Sequence, residues 1–166
     1  MKITKQQLIE MSACKAGLRR FIDQTNNTDE PIEVSSLIGG KNTVFDLLWL
    51  AGETLSKERI VRFACDCALI NIELIKPHTD KYDLIVSFLK DPDACVDSDI
   101  GTIARSACAT AATARSAVIV THATHAVRAA HSDIYVITRA TAFAAAYAAM
   151  NATDKVNNLL IEMFGE

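Results

Sequence analysis

SKERIVRFACDCALINIELIKP, residues 56–77, is the stretch that most clearly indicates how this chain folds. From Ile60 to Leu74 its apolar residues recur every three or four positions, which places them on one face of an α-helix. Ser56 belongs to the residue types that cap the first turn of a helix, and Pro77 cannot continue one. The stretch therefore predicts an amphipathic helix that begins after Ser56 and ends before Pro77.

The N-terminal side of this stretch predicts shorter helices and a polar loop. Thr4 and Gln7 have the spacing of a capping box, so a helix is expected to begin at Thr4. It continues towards Phe21 as one helix or as two short ones, because Gly17 costs a helix interior about 1 kcal/mol relative to alanine. Residues 23–41 are then rich in polar residues, proline and glycine, which predicts a loop.

A further helix is predicted after this loop. The apolar run at residues 34–38 is expected to form a brief strand or a turn. Asn42 or Thr43 then caps a helix whose apolar residues include the chain's single tryptophan, Trp49, which we expect in the core. Gly52 is expected to end this helix.

The remaining segments are also predicted to be helical. The apolar residues from Thr79 or Asp80 to about Lys90 have helical spacing, which predicts a helix there. In residues 99–166, 19 of the 68 positions are alanine, the best helix former. We expect helices over 99–130, as one or two pieces, over 132–151 and over 154–164. The predicted fold class is all-α, a compact bundle of about six or seven helices with a central alanine-rich helix.

Length, charge and hydropathy limit the class of protein. One domain accounts for 166 residues, with N-terminal helices and a loop in 1–52 and the main alanine-rich bundle in 53–166. The N-terminus lacks the apolar run of a secretory signal. The most apolar stretch, roughly residues 140–149, is far shorter than the ~20 residues needed to span a membrane. A cytoplasmic protein is therefore expected. The net charge of −3 makes nucleic acid an unlikely partner.

Two local patterns that suggest chemistry have simpler structural interpretations. The five cysteines contain no Cys-x-x-Cys spacing and are expected to be reduced and mostly in the core. In Cys65-Asp66-Cys67, alternate residues of a helix point about 200° apart, so Cys67 is expected in the core and Asp66 beside Arg62. Gly39-Gly40-Lys41-Asn42 lacks the first glycine of a phosphate-binding loop and predicts a turn before a capped helix.

The histidines and arginines of the alanine-rich region are the candidate binding residues. His122 and His125 share a helix with His131, but no carboxylate-containing zinc motif accompanies them, so no metal, cofactor or catalytic residue is predicted. Arg105, His125, Arg128 and His131 are the candidates for contact with a partner or ligand. If they converge between helices, they would hold an anionic ligand such as a nucleotide.

Several motifs follow one another along residues 57–150. They are RIVRFACDCA at 59–68, ARSA at 104–107, HAVRAAH at 125–131 and AAAYA at 144–148. With these motifs the chain resembles a small all-helical immunity protein family. It departs from that family in having Asp80-Lys81-Tyr82-Asp83 where the family has an Asp-x-Arg-Pro-Arg run.

The N-terminal segment ACKAGLRRF, residues 13–21, is similar to an A-C-x-x-G-L-x-x-F opening found in small bacteriophage-encoded accessory proteins. Together the two resemblances imply a phage-encoded helical bundle that binds and blocks a host protein or a toxin-like protein. The predicted function is therefore that of a non-enzymatic interaction protein, and the chain is also a candidate homo-oligomer. The alternative is a small-molecule-binding protein or enzyme that uses the arginine and histidine candidates.

Overall fold

A computed structural model describes residues 1–70, 72–78, 80, 82–91 and 152–165. Helices account for 72% of these residues, and the strands among them form one two-stranded sheet, which confirms the predicted mainly-α class. The predicted helices over 99–130 and 132–151 lie outside the described residues. None of the described helices has the length and apolar character needed to cross a membrane.

The N-terminal region contains two helices, as one of the two alternatives predicted. Helix α1 spans Lys5–Glu10 and helix α2 spans Lys15–Thr25. The capping box of Thr4 and Gln7 is present at the start of α1, which confirms that prediction. The helical conformation is interrupted at Ser12, whose φ of 62° is left-handed. Gly17 lies inside α2.

A small antiparallel sheet joins the N-terminus to the polar loop. Strand β1, Lys2–Ile3, pairs with strand β2, Ile32–Glu33, and Ile3 lies opposite Ile32. A short 3-10 helix, Val34–Leu37, follows β2 and accounts for most of the apolar run at 34–38. Val34 and Leu37 are buried, so this run attaches the loop to the core.

Helix α3 spans Val44–Thr54 and begins with a capping box of Thr43 and Asp46. Of the two predicted caps, Thr43 is therefore the one used. The prediction that Gly52 ends the helix is wrong, because the amide of Leu55 still donates to the carbonyl oxygen of Ala51 at 2.8 Å.

Helix α4 spans Lys57–Leu69, with Ser56 at its N-cap as predicted. Its predicted continuation towards Pro77 is wrong, since residues Ile72–His78 form a 3-10 helix that contains the proline. An α-helix would bring the proline ring against the carbonyl four residues earlier, and the α geometry ends before this point. Helix α5 spans Tyr82–Lys90, so it begins after the predicted start at Thr79 or Asp80 and ends at the predicted Lys90.

Each described α-helix contributes buried side chains to one core. The C-terminal segment is helical over residues 152–164, which confirms the predicted helix over 154–164, and its Leu160 and Phe164 are fully buried. The N-terminal ammonium group donates to the carbonyl oxygen of Phe164 at 3.2 Å, so the two chain ends meet. Trp49 is only partly buried, contrary to its predicted place in the core.

Candidate binding cavity

A cavity of about 370 Å³ lies where α1, α2 and α3 meet. Apolar side chains form most of its wall, and polar residues complete it. The apolar members are Ile3, Leu8, Ala13, Leu18, Phe21, Leu37, Phe45, Leu47, Trp49 and Leu50. Ligand sites in proteins have this character, with a mostly apolar wall and a few polar groups.

Two aromatic side chains of α3 line this cavity one helical turn apart. Phe45 is 50% exposed, whereas Trp49 is partly buried against the core. Residues four positions apart lie on the same helix face, so both rings belong to the wall that α3 contributes. A half-exposed phenylalanine beside an apolar cavity is the main departure from an ordinary surface in this part of the chain.

An ion pair between Arg20 and Asp46 forms the polar side of the cavity. Nε and Nη2 of Arg20 donate to the two carboxylate oxygens of Asp46 at 2.7 and 2.6 Å. The same carboxylate accepts from the backbone N–H and the hydroxyl of Thr43, each at 2.8 Å. Burial raises the pKa of Asp46, but the hydrogen bonds from Arg20 and Thr43 outweigh burial and lower the pKa below its usual value.

Gly17 allows α2 to approach this ion pair. A Cβ atom at position 17 would lie 2.9 Å from Oδ1 of Asp46, which is closer than a side chain normally allows. The backbone N–H of Gly17 also donates to Sγ of Cys14, the N-cap residue of α2, at 3.3 Å. The missing side chain at position 17 thereby lets the first turn of α2 lie close to the first turn of α3.

Gln24 holds the turn that precedes α3. Its Oε1 accepts from the backbone N–H of Lys41 at 2.7 Å and of Asn42 at 3.1 Å, and also from the Asn42 side chain at 3.0 Å. Its Nε2 donates to the carbonyl oxygen of Ser36 at 3.0 Å. Gly40 leaves space for this amide, since a Cβ there would collide with Nε2. The turn predicted for residues 39–42 is therefore present.

The candidate residues from the sequence cannot be compared with this cavity. Arg105, His125, Arg128 and His131 all lie outside the described residues, so their convergence on one pocket stays a prediction. The sequence does contain a signal for this cavity, the opening pattern at residues 13–21, which the sequence analysis used only as a resemblance. Each fixed position of that pattern lines the cavity, namely Ala13, Cys14, Gly17, Leu18 and Phe21.

The Cys65-Asp66-Cys67 triplet has the structural role that was predicted for it. Cys67 is buried, and burial raises the pKa of its thiol, which keeps the thiol protonated. Arg62 donates to the Asp66 carboxylate at 3.2 Å, as expected from their spacing on the helix. Within the described ranges, no group of three or more histidine, cysteine and acidic side chains is arranged to hold a metal ion.

Comparisons with models of protein families, with curated proteins and with solved structures give no match for this chain. The resemblances stated above therefore stay predictions. The cavity and the contacts that support it are the observations on which a function can be proposed.

Proposed function

We propose that this chain is a non-enzymatic interaction protein that binds its partner through the surface around Phe45. The observation that carries the proposal is the half-exposed Phe45 ring beside the apolar cavity. Aromatic side chains next to pockets supply a large share of the binding energy in protein interfaces. Burial of the ring by a partner would remove an exposed apolar surface from water.

The surroundings of Phe45 favour a preorganised contact surface. Thr43 and Asp46 cap the first turn of α3, and Arg20 ties that turn to α2. Because this backbone is already held in place, ordering it on association costs little conformational entropy. The proposed surface would therefore bind with small changes in backbone structure.

The resemblances in the sequence supply the kind of partner. We propose a host protein or a toxin-like protein that is blocked by occlusion, in an immunity or counter-defence role of a phage-encoded protein in the host cytoplasm. A second copy of this chain is the competing occupant of the same surface. The two are distinguished by the size of the complex that the purified protein forms alone.

The test compares Phe45→Ala with Ile161→Ala in affinity purification from the host, followed by mass spectrometry. Both side chains are exposed, at 50% and 44%, and Ile161 does not line the cavity. We expect Phe45→Ala to reduce recovery of a stoichiometric partner by at least about tenfold, the loss of a single binding hot spot, and Ile161→Ala to leave it unchanged. Equal recovery with both variants would contradict the proposal.

A crosslinking experiment locates the same contact directly. A photoreactive phenylalanine analogue is introduced at position 45 and, as the matched control, at position 161. We expect a crosslinked partner from position 45 alone. Crosslinks to a second copy of the chain would identify a homo-oligomer, and crosslinks from position 161 alone would place the interface elsewhere.

A further inference from the structure

We infer that the cavity between α1, α2 and α3 is a binding site for a small uncharged ring compound, independent of any protein partner. The volume of about 370 Å³ lies within the range of cavities that hold small ligands. A cavity lined mainly by hydrocarbon gives water few hydrogen-bond partners, and such cavities take up apolar molecules. A ligand that fills this one would restore packing contacts that the wall now lacks.

The charges in the wall favour a neutral ligand. Arg20 and Asp46 neutralise one another through two hydrogen bonds, so the wall formed by the described residues has no net charge to offer an ion. The Asn42 side chain is likewise bound to Gln24. A charged ligand would lose its hydration on entry without gaining an unpaired partner of opposite charge in this wall, and burial of an unpaired charge is costly.

The aromatic side chains favour a ligand that contains a ring. Phe21 forms part of the wall and is fully buried, and Phe45 and Trp49 add two further rings. Aromatic pairs prefer offset or edge-to-face arrangements, which contribute beyond the burial of area alone. An aryl group with a short aliphatic chain therefore matches both the rings and the aliphatic part of the wall.

The first experiment uses Trp49 as a reporter, because it is the only tryptophan of the chain and it lines the cavity. The full-length protein is titrated with 4-phenylbutanol, 4-phenylbutyrate and 4-phenylbutylamine, which share a ring and chain length and differ in charge. We expect a saturable change in emission with the alcohol, at least about tenfold tighter than with either ion. Absence of saturation with the alcohol, or tighter binding of an ion, would overturn the inference.

A matched pair of variants tests whether binding occurs in this cavity. Ala13→Leu adds a side chain that fills space at the cavity wall, and Ala16→Leu adds the same group to an exposed position of α2 that does not line the cavity. We expect Ala13→Leu to reduce the affinity for 4-phenylbutanol by at least about tenfold and Ala16→Leu to leave that affinity unchanged. Equal affinities would overturn the inference.

A second measurement on the unaltered protein covers the case in which Ala13→Leu does not fold. Cys14 is exposed and lines the cavity, whereas Cys65 and Cys67 are buried elsewhere in the core. Alkylation by iodoacetamide, followed by peptide mass mapping, should slow at Cys14 when 4-phenylbutanol is bound. An unchanged rate at Cys14 under saturating ligand would overturn the inference.

The outcome is separable from that of the proposed function. If the Ala13→Leu variant no longer binds 4-phenylbutanol but still co-purifies with the protein partner, the cavity binds small molecules and the partner contacts the outer surface. If Phe45→Ala has no effect on the partner while 4-phenylbutanol still binds, the proposed interface fails and the cavity site stands.

Discussion

Arg20 on α2 and Asp46 in the first turn of α3 form a two-pronged ion pair across 26 positions of sequence, with N–O distances of 2.7 and 2.6 Å. Asp46 has a second role at the same time, because its carboxylate also caps α3 together with Thr43. One carboxylate therefore joins two helices and caps the start of one of them. Both residues of the pair line the cavity.

We expect Asp46→Asn to destabilise the protein and Asp66→Asn to be nearly neutral. The fold lowers the pKa of Asp46, so it favours that charge, whereas burial raises the pKa of Asp66 despite Arg62. Loss of the capping and charged hydrogen bonds at Asp46 should cost about 1–2 kcal/mol, and Asp66→Asn should stay within about 0.5 kcal/mol. The free energies of unfolding in urea at pH 7 test this. Equal losses in both variants would contradict it.

The pH dependence of stability should show the same contrast. The pKa of Asp46 is lower in the folded state than its usual value of 3.8, so its contribution is present above pH 3.8 and is lost as the pH falls through the folded pKa. The pKa of Asp66 is raised, so its contribution is present below its unfolded pKa and is lost as the pH rises through the folded pKa.

The difference in unfolding free energy between the natural protein and Asp46→Asn should therefore be constant from pH 5 to 7 and shrink below about pH 4. The corresponding difference between the natural protein and Asp66→Asn should instead shift in favour of the natural protein as the pH falls. Urea unfolding at a series of pH values measures both. A difference at Asp46→Asn that grows on acidification would contradict the assignment of its charge as stabilising.

Gln24 should be needed for protection of the turn before α3. In Gln24→Ala, the backbone N–H groups of Lys41 and Asn42 lose their acceptor, whereas Gln24→Glu keeps an acceptor for them while it loses the donor to Ser36 and gains a negative charge. We expect faster amide hydrogen exchange at positions 41 and 42 in Gln24→Ala and slow exchange in Gln24→Glu. Gln6→Ala, which removes an exposed contact with Glu10, is the control. Unchanged exchange in Gln24→Ala would show that the turn is held in another way.

The contacts that could be predicted from the sequence are those between near neighbours. Thr4 with Gln7 has the spacing of a capping box, and Thr43 belongs to the residue types that cap helices. Both helix starts can therefore be predicted from a few neighbouring residues. The break at Ser12 was not readable, because it depends on a left-handed backbone at a residue that rarely adopts one. Gly52 has the residue type that often follows the end of a helix, yet the helical hydrogen bonds of α3 continue past it.

The cavity could not be predicted, because its wall joins residues that are far apart in the chain. Arg20 is one of several basic residues on α2, and nothing local distinguishes it as the partner of Asp46. The pattern at residues 13–21 gives a resemblance to an opening segment, but it does not indicate that Asp46 would lie against Gly17. Tertiary contact, rather than helix propensity, explains the glycine at that position.

This explanation of Gly17 leads to a prediction for a double-mutant cycle. In the natural background, Gly17→Ala should destabilise the protein, because the new Cβ would lie 2.9 Å from a carboxylate oxygen that Arg20 and Thr43 hold in place. In an Asp46→Ala background that oxygen is gone, and the alanine should instead stabilise α2 by up to about 1 kcal/mol through its higher helix propensity. Urea unfolding of the four proteins measures the change of sign, and a cost of Gly17→Ala that is the same in both backgrounds would mean that something other than Asp46 requires the glycine.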